Sequence, residues 1–243
     1  MKILLKKVHI YLYVISVALS YFLLWPFFYY FSLKPGRYKK MNRLRRIWAF
    51  SSSAFVGFFY RFEYEQPIDW SKTYIICPNH TSNLDIAAMC ILVKADYSFI
   101  GKEELKDGLV TGLFFRSADI PVNRDSNISS FRAFKKAAEK LRNGTTMVIF
   151  PEGKIGAEYP PVLHPFKNGP FKLAIELKIP IIPVSSANTW EMLWDDGTKY
   201  GTKPGICDIY VHQPIETGNL KTSDADYLRD IVYNTISRKI EKV

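Results

Sequence analysis

Residues 8–33 contain no Asp, Glu, Lys or Arg, and the stretch is crowded with Leu, Ile, Phe and Tyr, together with Trp25. About 20 apolar residues suffice to cross a bilayer, so this run is long enough to act as a membrane anchor. Pro26 is expected to interrupt it. A second apolar stretch, residues 47–60, is too short to span. After Tyr64 the pattern changes to that of an α/β domain. Short apolar runs rich in β-branched residues recur at 73–77, 97–100, 119–122, 146–150, 181–184 and 207–212 and predict strands. Helical spacing fills the gaps. Ile128, Phe131, Phe134, Ala138 and Leu141 recur at three- and four-residue steps, with Ser126 and Asn127 as caps and Gly144 as a stop. A last helix presents Leu228, Ile231, Val232, Ile236 and Ile240 on one face. Strands alternating with helices predict a mixed, largely parallel sheet flanked by helices, preceded by an N-terminal hydrophobic helical anchor. The expected organisation is an anchoring segment over residues 1–62 and one catalytic domain over residues 63–243.

Charge sharpens this division. Eleven of the 33 Lys and Arg lie in residues 1–62, which hold no Asp or Glu, and the remaining 22 face 23 acidic residues. The net charge of +10 therefore belongs to the N-terminal segment. Cations flanking apolar sequence suit an anionic lipid surface, whereas a nucleic-acid binder spreads them over the folded domain. No nucleic-acid partner is expected. The denser cluster, from Lys34 to Arg46, places the body on the cytoplasmic face of the cell membrane. A spanning helix and a helical pair lying in one leaflet both fit these flanks. The apolar run is too long and too aromatic for a cleaved secretory signal.

Cys77, Cys90 and Cys207 form no CxxC pair and no metal-ligand spacing with any histidine, so three reduced thiols and no metal are expected. The sequons at Asn79, Asn127 and Asn143 read as chance matches.

Three segments carry candidate chemistry. Pro78-Asn79-His80-Thr81-Ser82-Asn83-Leu84-Asp85 follows a predicted strand and precedes an apolar helix. At ~100° per residue on one continuous helix, His80 and Asp85 would face apart. With His80 in the turn and Asp85 in the first helical turn, a carboxylate can orient an imidazole for proton abstraction. Asn79, Ser82 and Asp85 are equally common helix-start residues, and spacing alone leaves a structural histidine open. Phe150-Pro151-Glu152-Gly153 ends another strand, where α/β sheets bind ligands, with a surface turn carrying a solvated Glu as the alternative. Ile120-Pro121-Val122-Asn123-Arg124 ends a third and brings a cation able to hold phosphate, although taken alone it reads more readily as a surface charge. There is no GxSxG elbow of a serine hydrolase.

Together these segments resemble the 1-acylglycerol-3-phosphate acyltransferase family of the glycerolipid acyltransferase superfamily. Asn79, His80, Ser82 and Asp85 match its NHxSxxD motif, and Phe150 to Gly153 match FPEG. Val122 to Arg124 approximate a strand-end motif with an Arg. Residues 165–169 and the proline-containing run 179–184 also look like the family, over about residues 70–190. The resemblance implies a glycerol-3-phosphate acyltransferase-like fold, with His80 as general base and Asp85 supporting it. It implies substrate contacts at Asn79, Ser82, Lys102, Arg124, Glu152, Gly153 and Lys154. It further implies acyl-CoA or acyl-carrier protein as the acyl donor, lysophosphatidic acid in a membrane as the acceptor with phosphatidic acid as the product, and no cofactor. In one respect the chain departs from the pattern. The family continues FPEG with Thr-Arg-Ser, and here Ile155 stands where that Arg binds phosphate. The resemblance therefore leaves a lyso-amino lipid (lyso-ornithine or lyso-glycine) as an alternative acceptor, and a non-catalytic lipid-binding scaffold as a reading from another class.

Overall fold

The computed structural model describes residues 2–241, so Met1, Lys242 and Val243, which belong to the two expected domains, lie outside the described residues. The helices are α1 (Lys2–Ser32), α2 (Tyr38–Ala54), α3 (Asn83–Leu92), α4 (Gly112–Phe115), α5 (Asn127–Arg142), α6 (Gly169–Leu177), α7 (Thr189–Met192) and α8 (Ala225–Ile240). The strands are β1 (Phe58–Tyr64), β2 (Ile75–Pro78), β3 (Tyr97–Lys102), β4 (Ile120–Val122), β5 (Thr146–Val148), β6 (Ile181–Ser186) and β7 (Gly205–Val211). They form one sheet in the order β1-β7-β6-β2-β5-β3-β4. Every neighbouring pair is parallel except β6 and β7. The expected mixed, largely parallel sheet flanked by helices is the observed fold.

The period-2 alternation of the strands decides which helices cover which face. Ile75, Met147 and Ile181 point to one side, where they pack with Ala137 and Leu141 of α5, Phe171 of α6 and Leu228 and Val232 of α8. Ile76, Val148 and Ile182 point to the other, against Met89 and Leu92 of α3 and Ala49 of α2. The phase of α5 differs from the expected one. Ile128 and Phe131 are exposed, and the buried face is made by Ala133, Ala137, Ala138 and Leu141. Small alanines let the helix approach the sheet, so the bulky residues are not the core markers here.

The apolar stretch 47–60 resolves into the end of α2 and the start of β1. That strand was not anticipated, because its alternation begins inside an uncharged run. Paired in parallel with β7 over its whole length, β1 crosses the boundary drawn at residue 62. The helical segment and the domain are therefore knit together. Pro26 sits inside α1 without ending it. The turns around it are held by stacking of Tyr21 on Phe28 and by the edges of both against Phe114.

From Leu4 to Ser32, α1 is long and apolar enough to cross a membrane. It also runs along the protein. His9 hydrogen-bonds the Thr202 hydroxyl and the Val56 carbonyl, Ser16 donates to the Ser52 carbonyl, and Val17 accepts from Trp48. Leu19, Phe22, Leu23 and Phe27 on its other side are exposed.

Not all the N-terminal cations face outward. Arg45 is buried, with two hydrogen bonds to Asp119 at 3.1 and 2.8 Å, and its guanidinium lies among the rings of Tyr97, Phe99 and Phe114. Arg46 donates to the Val93 carbonyl. Two members of the cluster assigned to lipid headgroups thus fasten α2, Arg45 to Asp119 just before β4 and Arg46 to the end of α3.

Candidate active site

Because β2, β3, β4, β5 and β6 are parallel, the segments that follow them emerge at one edge of the sheet. His80 follows β2, Lys102 ends β3, Arg124 follows β4, Glu152 follows β5 and Thr189 follows β6. Residues far apart in sequence converge for that reason alone.

Ser82 caps α3: its hydroxyl accepts from the Leu84 amide at 3.0 Å, and Asp85 at the third helical position accepts back from the Ser82 amide at 2.9 Å. This capping box holds Asp85 in the first turn, within reach of the strand-end residue His80. Asp85 is completely buried. Its Oδ2 also accepts from the Thr81 amide at 2.8 Å and meets His80 Nδ1 at 3.2 Å, while Oδ1 accepts from the Thr189 hydroxyl at 2.7 Å. With Nδ1–H turned to this carboxylate, the imidazole presents Nε2 to the open side of the site. The His80 ring stacks on Phe150, with centroids 4.0 Å apart and planes 22° from parallel.

Asn79 is also buried, but it faces the neighbouring strand. Its amide group donates to the Ser186 carbonyl at 3.0 Å and accepts from the Ser186 amide at 2.7 Å, locking the end of β2 to the end of β6. Asn79 and Ser82, expected to touch substrate, instead spend their polar groups inside the protein. Glu152 does the same. Its Oε1 accepts from the His80 amide at 2.7 Å and its Oε2 from the His164 amide at 2.9 Å. Burial pushes its pKa up to about 7, against the pull of those two amides. Gly153 has φ +80°, a conformation glycine adopts freely, and it turns the chain so that Glu152 points back at His80.

The remaining cations are peripheral. Lys102 is exposed and pairs with Glu104 at 3.0 Å. Lys154 is exposed at the rim. Arg124 is exposed and lines a cavity of about 120 Å³ with Phe150, Gly153 and Lys167. A larger cavity of about 700 Å³ lies between α1, α2 and α3, lined by apolar side chains including Ile10, Val14, Val17, Ile86 and Leu105, and it reaches Asn83 beside the His80 turn. Asp195, in the left-handed region at φ 53°, clasps that turn: its amide donates to Thr81 and its carbonyl accepts from Asn83. Burial and Asp196 raise the Asp195 pKa, while His80 draws it down. Among the described residues no group of three or more His, Cys, Asp or Glu is placed to hold a metal.

Thr189, His164, Phe150, Asp195 and Lys167 were not singled out from sequence as site residues. Nothing local marks them: each arrives through strand pairing or loop packing, although Phe150 and Lys167 stood inside motifs already quoted.

The acyltransferase family model matches residues 60–187. An uncharacterised acyltransferase of Schizosaccharomyces pombe is 30% identical over 186 residues, 76% of this chain and 65% of its own length. The 1-acyl-sn-glycerol-3-phosphate acyltransferase of Saccharomyces cerevisiae is 31% identical over 68% of this chain and 56% of its own. The alpha form from Mus musculus is 29% identical over 70% of this chain and 60% of its own. The chain thus spans less than two thirds of the length of these relatives. The crystal structure of the 1-acyl-sn-glycerophosphate acyltransferase from Thermotoga maritima superposes with a TM-score of 0.79 at 22% identity, covering 99% of this chain and 95% of the other. That likeness concerns the fold.

Proposed function

Since the chain belongs to the acyltransferase family, we propose that it moves a fatty acyl group from acyl-CoA or acyl-carrier protein to the free hydroxyl of 1-acylglycerol-3-phosphate, giving phosphatidic acid for phospholipid synthesis. The observation that carries this reading is the His80–Asp85 pair, oriented by four donors on one buried carboxylate with Nε2 left facing the open site. The names of the Saccharomyces and Mus relatives supply the acceptor class.

In this mechanism Nε2 of His80 takes the proton from the acceptor hydroxyl as its oxygen attacks the thioester carbonyl. Asp85 stabilises the resulting imidazolium. As the tetrahedral intermediate collapses, the carbon–sulfur bond breaks and the departing thiolate takes the proton from His80. Ester and thiol are formed, the base is restored, and no cofactor enters the balance. Oriented general-base catalysis is typically worth 10²- to 10⁴-fold. The cavity between α1, α2 and α3 suits an acyl chain, since its lining is mostly apolar and it reaches Asn83, in the turn that carries His80.

The protein works at a membrane, at its cytoplasmic face in this reading. Contacts distributed along α1 from His9 to Phe28 favour a helix lying in one leaflet over a spanning one, because a helix bonded to the domain along its length cannot also traverse the bilayer away from it.

Ile155 gives a second acceptor reading a specific basis, the lyso-amino lipids. The test is acyl transfer by the detergent-purified protein and its His80→Ala variant, with lysophosphatidic acid and lyso-amino lipids offered in parallel. Formation of phosphatidic acid that disappears in the variant supports the leading reading. Transfer to amino lipids alone replaces it with the second, and no transfer to any acceptor leaves a lipid-binding scaffold.

A further inference from the structure

The FPEG turn continues as Lys154-Ile155-Gly156, so an aliphatic side chain occupies the position after Lys154. A different cation reaches this turn from later in the chain. A Cβ placed on Gly153 would lie 3.1 Å from Cε and 3.2 Å from Nζ of Lys167, so the Lys167 ammonium rests directly on the glycine face of the turn. The Lys167 amide donates to the Pro151 carbonyl at 2.9 Å, which fixes the root of its side chain there. Arg124 lines the same small cavity from the end of β4.

Among the described residues, neither Lys167 nor Arg124 has a carboxylate within ion-pair distance, and the nearby Glu104 is engaged by Lys102. Two cations without a direct ion-pair partner face one cavity, and that cavity shares Phe150 with the imidazole of His80. A phosphate monoester carries about −1.5 to −2 charge at neutral pH and three strong acceptor oxygens, and it satisfies both cations at once. A zwitterionic amino-lipid headgroup brings its own cation and does not.

We infer that Lys167, together with Arg124, supplies the phosphate recognition that Ile155 cannot, and so selects a phosphomonoester-bearing acceptor; the inference rests on the lysolipid acylation proposed above. Lys167 acts on acceptor binding and not on proton transfer, so its signature is in KM.

The experiment compares wild type with Lys167→Met, Lys167→Arg and Lys172→Met in mixed micelles, with lysophosphatidic acid and phosphate-free 1-monoacylglycerol as acceptors. Lys172 is an exposed cation of α6 that does not line the cavity. Loss of one charge-assisted contact is worth roughly 10- to 100-fold. Lys167→Met is expected to raise KM for lysophosphatidic acid by that factor with little change in kcat. The preference for lysophosphatidic acid over monoacylglycerol falls in step, Lys167→Arg recovers most of it, and Lys172→Met behaves as wild type. Unaltered preference in Lys167→Met overturns the inference, as does an equal loss of kcat on both acceptors, which marks a structural role. A wild-type enzyme that acylates lyso-amino lipids but not lysophosphatidic acid instead overturns the acceptor assignment itself.

Discussion

Glu152 holds His80 by its main chain: Oε1 accepts from the His80 amide at 2.7 Å, while Oε2 ties the same carboxylate to the amide of His164. The FPEG turn therefore positions the candidate base and the following loop from inside the protein. Burial raises the Glu152 pKa from 4.5 to about 7, so the fold favours the protonated carboxyl. The sign follows. The stabilising contribution is complete below about pH 4.5 and is lost as pH rises through about 7, a difference on the order of 3 kcal/mol. Glu152→Gln, uncharged throughout, is expected to lose less thermal stability than wild type between pH 5 and 8. Parallel melting profiles for the two proteins would refute the burial effect. The ionised form is the one in which both oxygens accept amides, so transfer by Glu152→Gln at pH 8 should be slower, with the melting temperature checked at the same pH.

Asp85→Asn tests the support of the base. The carboxamide keeps an oxygen for the Thr81 and Ser82 amides and can turn its nitrogen to the Thr189 hydroxyl, so the turn survives. What disappears is the negative charge opposite the imidazolium. The expected loss in kcat is roughly 10²- to 10⁴-fold, measured as acyl transfer under saturating acceptor. A variant within threefold of wild type would show that Asp85 only caps α3.

Arg45 and Asp119 join α2 to the sheet through a bidentate pair with both side chains buried. Arg45→Met leaves Asp119 charged and unpaired, apart from the amide of Phe99. Removing one partner of such a pair costs about 3–5 kcal/mol. The double variant Arg45→Met, Asp119→Leu should recover much of that stability in detergent melts. Equal melting temperatures for wild type and Arg45→Met would mean that the pair contributes nothing.

Leu19 and Leu23 are exposed on α1 and make up part of the face proposed to lie in lipid. Replacing both by Asp removes two apolar side chains, each worth roughly 1.5–3 kcal/mol when buried, and adds charge that anionic lipid repels. Sedimentation with anionic vesicles should fall at least tenfold while the melting temperature stays close to wild type. Undiminished vesicle binding would place the membrane contact elsewhere.

Much of this protein is legible along the chain because the relevant physics is local. The alternation of Ile75 and Ile76 marks a two-sided buried strand. The start signals around Ser82 place His80 in a turn and Asp85 in the first helical turn, and the uncharged run before Leu33 marks a helix with a lipid-compatible face. Each of these depends on neighbours within a few residues. Sequence reasoning fails where a residue's role depends on what lies across the sheet. Thr189 reaches Asp85 because β6 pairs with β2, and Lys167 reaches Gly153 because the loop before α6 folds back on the β5 turn. Arg45 reads as a headgroup cation until Asp119 is seen beside it, and Glu152 as a ligand group until the amides of His80 and His164 fill both its oxygens. The chain alone determined the class of fold and the candidate pair His80 and Asp85. Which polar groups remain free for substrate was decided by tertiary structure, since a buried carboxylate or amide bonds whichever partner the packing brings within 3 Å.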